Sequence, residues 1–95
     1  MHRGGYVYIL TNAQRTVLYT GATSDLELRI SQHRHGVFGG FSKRYRLNRL
    51  VYYADFGGIE EAIQEEKRIK AGSRADKEAL IEKHNPGWGD LAEHW

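Results

Sequence analysis

The chain has 95 residues, 27% of them charged, with a formal net charge of +2 and no cysteine. This length suits one modest core over residues 1–95 and excludes an enzyme with a separate cofactor-binding domain, while the lack of cysteine excludes disulfides and thiolate metal sites. With no apolar run of membrane-span length and no recognisable signal peptide, we expect a cytoplasmic protein that does not contact membranes.

The first predicted elements are two strands. Tyr6 to Leu10 is aromatic and β-branched, which is typical of a strand, and Val17 to Thr20 predicts a second strand that ends at Gly21. The short polar segment between them predicts an antiparallel hairpin. In a symmetric hairpin Tyr8 lies opposite Tyr19, with both side chains on one face, and a slip of one residue would separate them.

A helix follows the hairpin. Ser24 and Glu27 have the spacing of a capping box, and the helix is predicted to end near Gly36. Arg29 and His33 are one helical turn apart, so they share a face of this helix.

A basic segment comes next, and it makes the charge of the chain uneven. Residues 1–54 carry eight Lys or Arg and two acids, a balance of +6, whereas residues 55–95 carry six and ten, a balance of −4. A flexible basic loop is predicted from Gly39 to about Asn48, before a third strand from Leu50 to Tyr53. Either this side binds an anionic partner, or the basic loop simply balances acidic helices.

Two further helices are predicted in the second half. Apolar residues recur with helical spacing from Ile59 onward, and Glu66 falls inside that stripe. Its carboxylate either faces inward, or its long stem covers apolar surface while the head stays in water. Ser73 and Asp76 predict the cap of the last helix, which ends at Asn85, and the tryptophans of the tail are expected to fold back over the core. The predicted element order is β-β-α-β-α-α.

Several of these side chains could act together on a phosphodiester. An arginine can neutralise phosphate oxygens through paired donors, a carboxylate can hold a hard divalent cation, and a tyrosine or histidine can accept a proton from water. Tyrosine, with a pKa of about 10, needs a neighbouring cation to lower that value, whereas histidine at about 6.5 does not. Each residue also has an ordinary structural explanation, such as a helix C-cap for Asn85.

Two short motifs stand eleven residues apart at their tyrosines, Val7-Tyr8 and Tyr19-Thr20-Gly21. Further segments follow them in order, namely Asp25–Arg29 with His33, Ser42–Tyr45, Arg49–Tyr53, Glu60–Ile63, Glu66–Lys70, Leu80–Glu82, Asn85–Trp88 and Asp90–Leu91. On these residues the chain resembles the GIY-YIG nuclease superfamily, and in particular its small single-domain bacterial endonucleases. The first motif departs from that pattern as Tyr6-Val7-Tyr8, and in the second Thr20 stands in place of isoleucine.

The resemblance implies both a fold and an activity. The fold is α+β, a three-stranded antiparallel sheet flanked by helices. The activity is that of a metal-dependent endonuclease that hydrolyses phosphodiester bonds in nucleic acid, with DNA as the expected substrate. The resemblance further implies that Glu66 holds a single Mg²⁺ or Mn²⁺ ion and that Arg29 contacts the scissile phosphate. The active-site residues that it implies are Tyr8, Tyr19, Arg29, His33, Glu66 and Asn85.

The expected partner is nucleic acid, with a homodimer or an accessory protein as a means of targeting. The residues predicted to bind nucleic acid are Arg29, Arg34, Lys43, Arg44, Tyr45 and Arg46. Two other functions stay open. One is a binding module without catalysis, in which Phe41 and Tyr45 stack on bases; the other is a protein-interaction domain that uses the acidic half and the tryptophan tail.

Overall fold

A three-stranded antiparallel sheet lies at the centre of the molecule. The computed structural model of the chain describes residues 4–36 and 40–95. Its elements are β1 (Gly5–Thr11), β2 (Leu18–Thr23), α1 (Leu26–Arg34), α2 (Gly40–Tyr45), β3 (Arg49–Phe56), α3 (Ile59–Ala71) and α4 (Arg74–His84). The strand order is β2-β1-β3, with β1 in the middle. This confirms the predicted α+β fold, with α2 as an additional short helix. Within the described ranges, no helix is both long and apolar enough to cross a membrane.

The β1–β2 hairpin pairs two residues away from the symmetric register that the sequence predicts. Tyr8 lies opposite Gly21 rather than opposite Tyr19. The side chain of Asn12 explains the shift, because its Oδ1 accepts a hydrogen bond from the main-chain N–H of Val17 at 3.2 Å and keeps that residue in the loop. Since strand side chains alternate with a period of two, the shift leaves both tyrosines on the same face.

Strand β2 continues past Gly21, where its end was predicted, and reaches Thr23. Helix α1 therefore begins later than the sequence suggests. Its N-cap is Asp25, whose carboxylate accepts a hydrogen bond from the main-chain N–H of Leu28 at 3.2 Å. The predicted cap at Ser24 is wrong, because β2 extends into the preceding residue and moves the chain reversal onward.

The segment predicted as a basic loop contains helix α2. Gly39, the predicted start of the loop, lies outside the described residues. Helix α2 carries Lys43 and Arg44 in its last turn. Tyr45 packs against the buried cluster that contains Leu26 and Ile30 of α1.

The alternating side chains of β1 divide the core between two faces of the sheet. On the face that α1 covers, here the α1 face, the buried residues are Tyr6, Tyr8, Leu10, Leu26, Ile30, Leu47, Leu50 and Ala92. On the opposite face, here the α3 face, they are Val7, Ile9, Val51, Tyr52, Ala62, Ile69, Ile81 and Trp88. The central strand β1 therefore contributes side chains to both faces, and it is buried along its whole length.

Helix α4 begins at the predicted capping box. Ser73 Oγ accepts a hydrogen bond from the main-chain N–H of Asp76 at 3.1 Å, and Asp76 Oδ2 accepts one from the main-chain N–H of Ser73 at 3.0 Å. The tail folds back over the α3 face as expected for Trp88, which is buried. The same expectation is wrong for Trp95, which is 46% exposed.

Candidate active site

Tyr8 is completely buried at the middle of the central strand. Its ring lies over Gly21, the residue opposite it on β2. A β-carbon at position 21 would lie 2.4 Å from the Tyr8 hydroxyl oxygen and 2.5 Å from the ring carbon that bears it. These distances are too short for a side chain, so Gly21 is what allows Tyr8 to extend across β2.

His33 and the two motif tyrosines form a compact cluster on the α1 face. The Tyr8 hydroxyl oxygen lies 3.1 Å from His33 Nε2, within hydrogen-bonding distance. The ring centroids of Tyr8 and Tyr19 are 6.4 Å apart, and those of Tyr19 and His33 are 5.3 Å apart. Residues from β1, β2 and α1 therefore converge, although Tyr8 and His33 are 25 positions apart in the chain.

Burial, with a smaller contribution from the neighbouring Tyr19, raises the pKa of Tyr8 to about 12. Arg29 opposes it through its positive charge and a hydrogen bond to the Tyr8 side chain. Tyr8 is therefore a protonated phenol at neutral pH, with a cationic side chain beside it that favours its ionised form.

His33 is shifted in the direction that keeps its imidazole neutral. Burial, with a smaller contribution from the positive charge of Arg29, lowers its pKa to about 4. At neutral pH the ring is unprotonated, so one of its two nitrogens can accept a hydrogen bond. In the tautomer with a bare Nε2, the Tyr8 hydroxyl donates to His33.

Glu66 lies on α3, near enough to Tyr8 for its charge to act on that residue. Its negative charge contributes to the raised pKa of Tyr8. The adjacent carboxylate, Glu65, contributes instead to the raised pKa of Tyr52 on β3, for which burial is the larger cause. The Glu66 side chain is 18% exposed, and its Oε2 is 3.4 Å from Lys70 Nζ. The side chain as a whole is therefore mostly covered, and its carboxylate lies near the ammonium group of Lys70.

Five of the six predicted active-site residues therefore interact with one another: Tyr8, Tyr19, Arg29, His33 and Glu66. Asn85 is placed differently. It ends α4, and its Nδ2 donates hydrogen bonds to the carbonyl oxygens of Val51 at 3.0 Å and Gly89 at 2.9 Å. Because β1 separates β3 from β2, these bonds hold Asn85 to the strand on the far side of the sheet from Tyr19. Its catalytic role stays a prediction.

The residues predicted to bind nucleic acid differ in how accessible their charges are. Arg34 forms an ion pair with Asp90 of the tail at 2.7 Å. Lys43 and Arg46 belong to a cleft of about 190 Å³ that also reaches His33. The Arg44 guanidinium lies 5.5 Å from the ring centroid of Tyr45. The side chain of Phe41, the other predicted stacking residue, lies outside the described part of the chain.

Sequence reasoning assigned no role to Thr20. This residue is 4% exposed, and among the described residues its Oγ1 is the buried side-chain polar atom that has no hydrogen-bond partner. The detectable signal is a polar residue between two apolar ones, because Leu18 and Ala22 flank it on the same face of β2.

The fold and the cluster define a class of protein. A small sheet with two tyrosines on its hairpin, an arginine and a histidine on the first helix and a carboxylate on a later helix is the expected pattern of the superfamily that the motifs resemble. A family model described as the GIY-YIG catalytic domain matches residues 4–79. The chain belongs to this family.

Its relatives include the small proteins named UPF0213. One from Syntrophus aciditrophicus is 39% identical over 82 residues, which cover 85% of this chain and 92% of the relative. One from Staphylococcus haemolyticus is 39% identical over 77 residues, covering 81% and 93%. The solution NMR structure of a UPF0213 protein from Bacillus halodurans superimposes with a TM-score of 0.57 at 33% identity, covering 88% of each chain.

Proposed function

We propose that this protein is a divalent-metal-dependent endonuclease of the cytoplasm, a single domain that hydrolyses phosphodiester bonds in DNA. The observation that carries the proposal is the convergence of a neutral histidine, two tyrosines, an arginine and a carboxylate from four separate elements. A structural core has no need for such a group, since each buried polar atom in it costs free energy unless it is paired.

Arg29 supplies the positive charge for the phosphate. In the free protein it hydrogen-bonds Tyr8, so its guanidinium is already oriented toward the cluster. A guanidinium can donate two parallel hydrogen bonds to phosphate oxygens and stabilise the charge that develops on them during hydrolysis. Stabilisation of this kind typically contributes more than any other single effect in an active site.

His33 and Tyr8 together form the proton-accepting pair. The Tyr8 phenol cannot lose its proton to solvent at neutral pH, because its pKa is about 12. His33 is neutral under the same conditions and lies 3.1 Å away, so it can take the proton from the Tyr8 hydroxyl as that oxygen accepts one from water. Tyr8 then acts as a relay between the attacking water and the imidazole.

The donor chemistry near Glu66 fits a hard cation. Within the described ranges, no three His, Cys, Asp or Glu side chains come together to hold a metal ion. A single carboxylate nevertheless suits Mg²⁺ or Mn²⁺, because Mg²⁺ commonly keeps several waters and takes its remaining ligands from one or two carboxylates and the substrate phosphate. Glu66 would hold the ion, which when bound would supply Lewis-acid stabilisation of phosphate oxygens.

The basic cleft beside His33 gives the substrate a path to the cluster. Lys43 and Arg46 line it together with His33, so flanking phosphates bound there would lie close to the catalytic group. Phosphate contacts of this kind predict an affinity that falls steeply with salt. Sequence preference would then come from the basic segment, a homodimer or an accessory protein.

The test is a cleavage assay on single-stranded, duplex and branched DNA and on RNA, with Mg²⁺, Mn²⁺ or EDTA. We expect cleavage with either metal and none with EDTA. Glu66→Ala should reduce the rate at least about 100-fold with the fold intact, because the cation loses its protein ligand. Glu65→Ala is the matched control, since this neighbouring carboxylate accepts two hydrogen bonds from the Arg68 guanidinium and should leave the rate unchanged.

Two results would contradict the proposal. Full metal-dependent activity in Glu66→Ala would remove the assigned role of the carboxylate. No cleavage of any substrate by the wild-type protein, with salt-sensitive binding retained, would identify a binding module without catalysis.

A surface of exposed aromatic residues favours a second candidate, a protein-interaction domain. Tyr53 is 40% exposed and Trp95 is 46% exposed, and their rings meet edge to face with centroids 6.0 Å apart. Aromatic side chains are enriched in protein interfaces. Sedimentation at increasing concentration tests self-association, which Trp95→Ala should weaken. A monomer at every concentration would exclude self-association, and the surface would then have to bind a different protein.

A further inference from the structure

The C-terminal tail, residues 85–95, wraps around the outer edge of β3. Trp88 is buried on the α3 face and Ala92 on the α1 face, so the tail passes from one side of the sheet to the other. Between them, the main-chain N–H of Leu91 donates a hydrogen bond to the carbonyl oxygen of Leu50 at 2.8 Å. The tail is therefore part of the folded domain, although the family match ends at residue 79 and does not reach it.

Asp90 joins the tail to two other elements. Its Oδ1 accepts hydrogen bonds from the main-chain N–H groups of Leu50 on β3 at 3.1 Å and of Ala92 at 3.0 Å. Its Oδ2 accepts one from Arg34 Nη2, at the end of α1, at 2.7 Å. The Arg34 and Asp90 side chains are 24% and 22% exposed, and a partly buried ion pair is screened less than one at the surface. One carboxylate therefore connects β3, the tail and α1.

The helix end that Asp90 holds is the end that carries His33. Helix α1 is nine residues long and buries three side chains, of which His33 is the last. Arg34 follows it directly, and the other hydrogen bond of Arg34, from Nε to the carbonyl oxygen of Asn48, is longer, at 3.4 Å. The His33 imidazole has to stay within hydrogen-bonding distance of the Tyr8 hydroxyl, 3.1 Å from Nε2. A small displacement of this helix end would break that contact.

We propose that Asp90 is a positioning residue of the active site: by binding Arg34 it fixes the end of α1 and keeps the His33 imidazole against the Tyr8 hydroxyl. The effect on cleavage rests on the proposed function. Misplacement of a reacting group by about 1 Å can reduce a rate about 100-fold, even when the change lies outside the chemistry. The proposal also gives Arg34 a different task from the phosphate contact that the sequence predicts.

Two variants break the ion pair from opposite sides. Asp90→Asn keeps an oxygen for the N–H groups of Leu50 and Ala92 but removes the charge that Arg34 binds, whereas Arg34→Gln removes the guanidinium. We expect each variant to reduce kcat about 10-fold with KM nearly unchanged, because the chemical step is disturbed and substrate binding is not. The double variant should lose no more than either single one, since both changes remove the same interaction.

Binding of labelled DNA in EDTA separates positioning from phosphate contact. Glu93→Gln is the matched control, because this tail carboxylate lines the same cleft as Arg34 and Asp90 but is 71% exposed. It should leave kcat unchanged, and Asp90→Asn should alter DNA affinity no more than the control does. If Arg34 binds phosphate and Asp90 competes for it, Asp90→Asn would tighten binding well beyond Glu93→Gln without lowering kcat, and the proposal would be refuted.

The state of His33 gives a readout that does not depend on cleavage. In isotope-labelled protein at pH 7, the NMR resonances of its ring nitrogens should shift in Asp90→Asn and Arg34→Gln but not in Glu93→Gln, because the contact with Tyr8 is disturbed. Unchanged resonances, or a kcat that does not fall, would refute the positioning role and leave the proposed function standing. If the resonances shift as expected while the wild-type protein cleaves no substrate, the positioning of His33 stands and the proposed function fails.

Discussion

The two faces of the sheet put the same central strand to different uses. On the α1 face, Tyr8 and His33 bring polar atoms into the core, and burial moves their pKa values in opposite directions, to about 12 and about 4. On the α3 face, Val7 and Ile9 pack against apolar side chains such as Ile81.

The difference shows how a small domain can hold reactive groups and still fold. Because side chains of β1 alternate, the polar cluster on one face is supported by a hydrophobic layer on the other. Changes on the α1 face should therefore act mainly on chemistry, and changes on the α3 face mainly on stability. Glu66 is the place where this division breaks down, because it belongs to α3 and its charge acts on Tyr8.

Gly21→Ala should have the largest effect, because it should reduce both cleavage and stability. The added methyl would lie 2.4 Å from the Tyr8 hydroxyl oxygen, so the ring must move away from His33. We expect more than a 100-fold loss of cleavage together with a lower melting temperature. Gly87→Ala is the matched control, since a β-carbon there would have no atom within 4 Å. Normal cleavage by Gly21→Ala would mean that the position of Tyr8 does not matter.

Tyr8→Phe should separate chemistry from stability. The ring and its packing remain, but the hydroxyl that meets His33 is lost. Removing one member of a proton-transfer pair typically reduces a rate 10²- to 10⁴-fold, and we expect a loss in this range with little change in melting temperature. Tyr52→Phe, a buried tyrosine of the α3 face, should keep its cleavage rate. Equal losses in both variants would contradict the division between the faces.

Ile81→Ala should have the converse effect on the α3 face. Ile81 is fully buried in α4, and truncation of such a side chain typically costs about 2–5 kcal/mol of unfolding free energy. Denaturant unfolding measures this loss. At a temperature where the variant is folded, its cleavage rate should match that of the wild type, and a large drop in rate would show that the faces are coupled.

Acid should destabilise the protein through His33. Its pKa is about 4 in the folded chain and near 6.5 when unfolded, so between these values only the unfolded chain binds the proton. The stabilisation is complete above pH 6.5 and is lost as the pH falls toward 4, by about 1–3 kcal/mol in total. Chemical denaturation from pH 7 to pH 4 should show a smaller decline for His33→Gln. The same decline in both proteins would assign the effect to other groups.

Much of the candidate site could be predicted because it depends on short-range periodicity. The alternation of a strand placed Tyr8 and Tyr19 on one face, and the prediction survived because the register moved by two residues and not by one. The helical period placed Arg29 beside His33, and the apolar stripe of α3 singled out Glu66. The capping box at Ser73 was equally local and is confirmed.

The remaining features depend on which distant segments pack together, and no local pattern encodes that. Asp90 neutralises Arg34 from 56 positions away, and the tail that carries it is fixed only once β3 is in place. The pKa values of Tyr8 and His33 follow from the burial of both side chains between the sheet and α1. The hydroxyl of Thr20 became unpaired only when α3 covered β2. The sequence by itself determined the family and most of the elements, through patterns a few residues long. The tertiary structure decided helix α2, the register, the charges and the environment of each reactive group, because these depend on the packing of the whole chain.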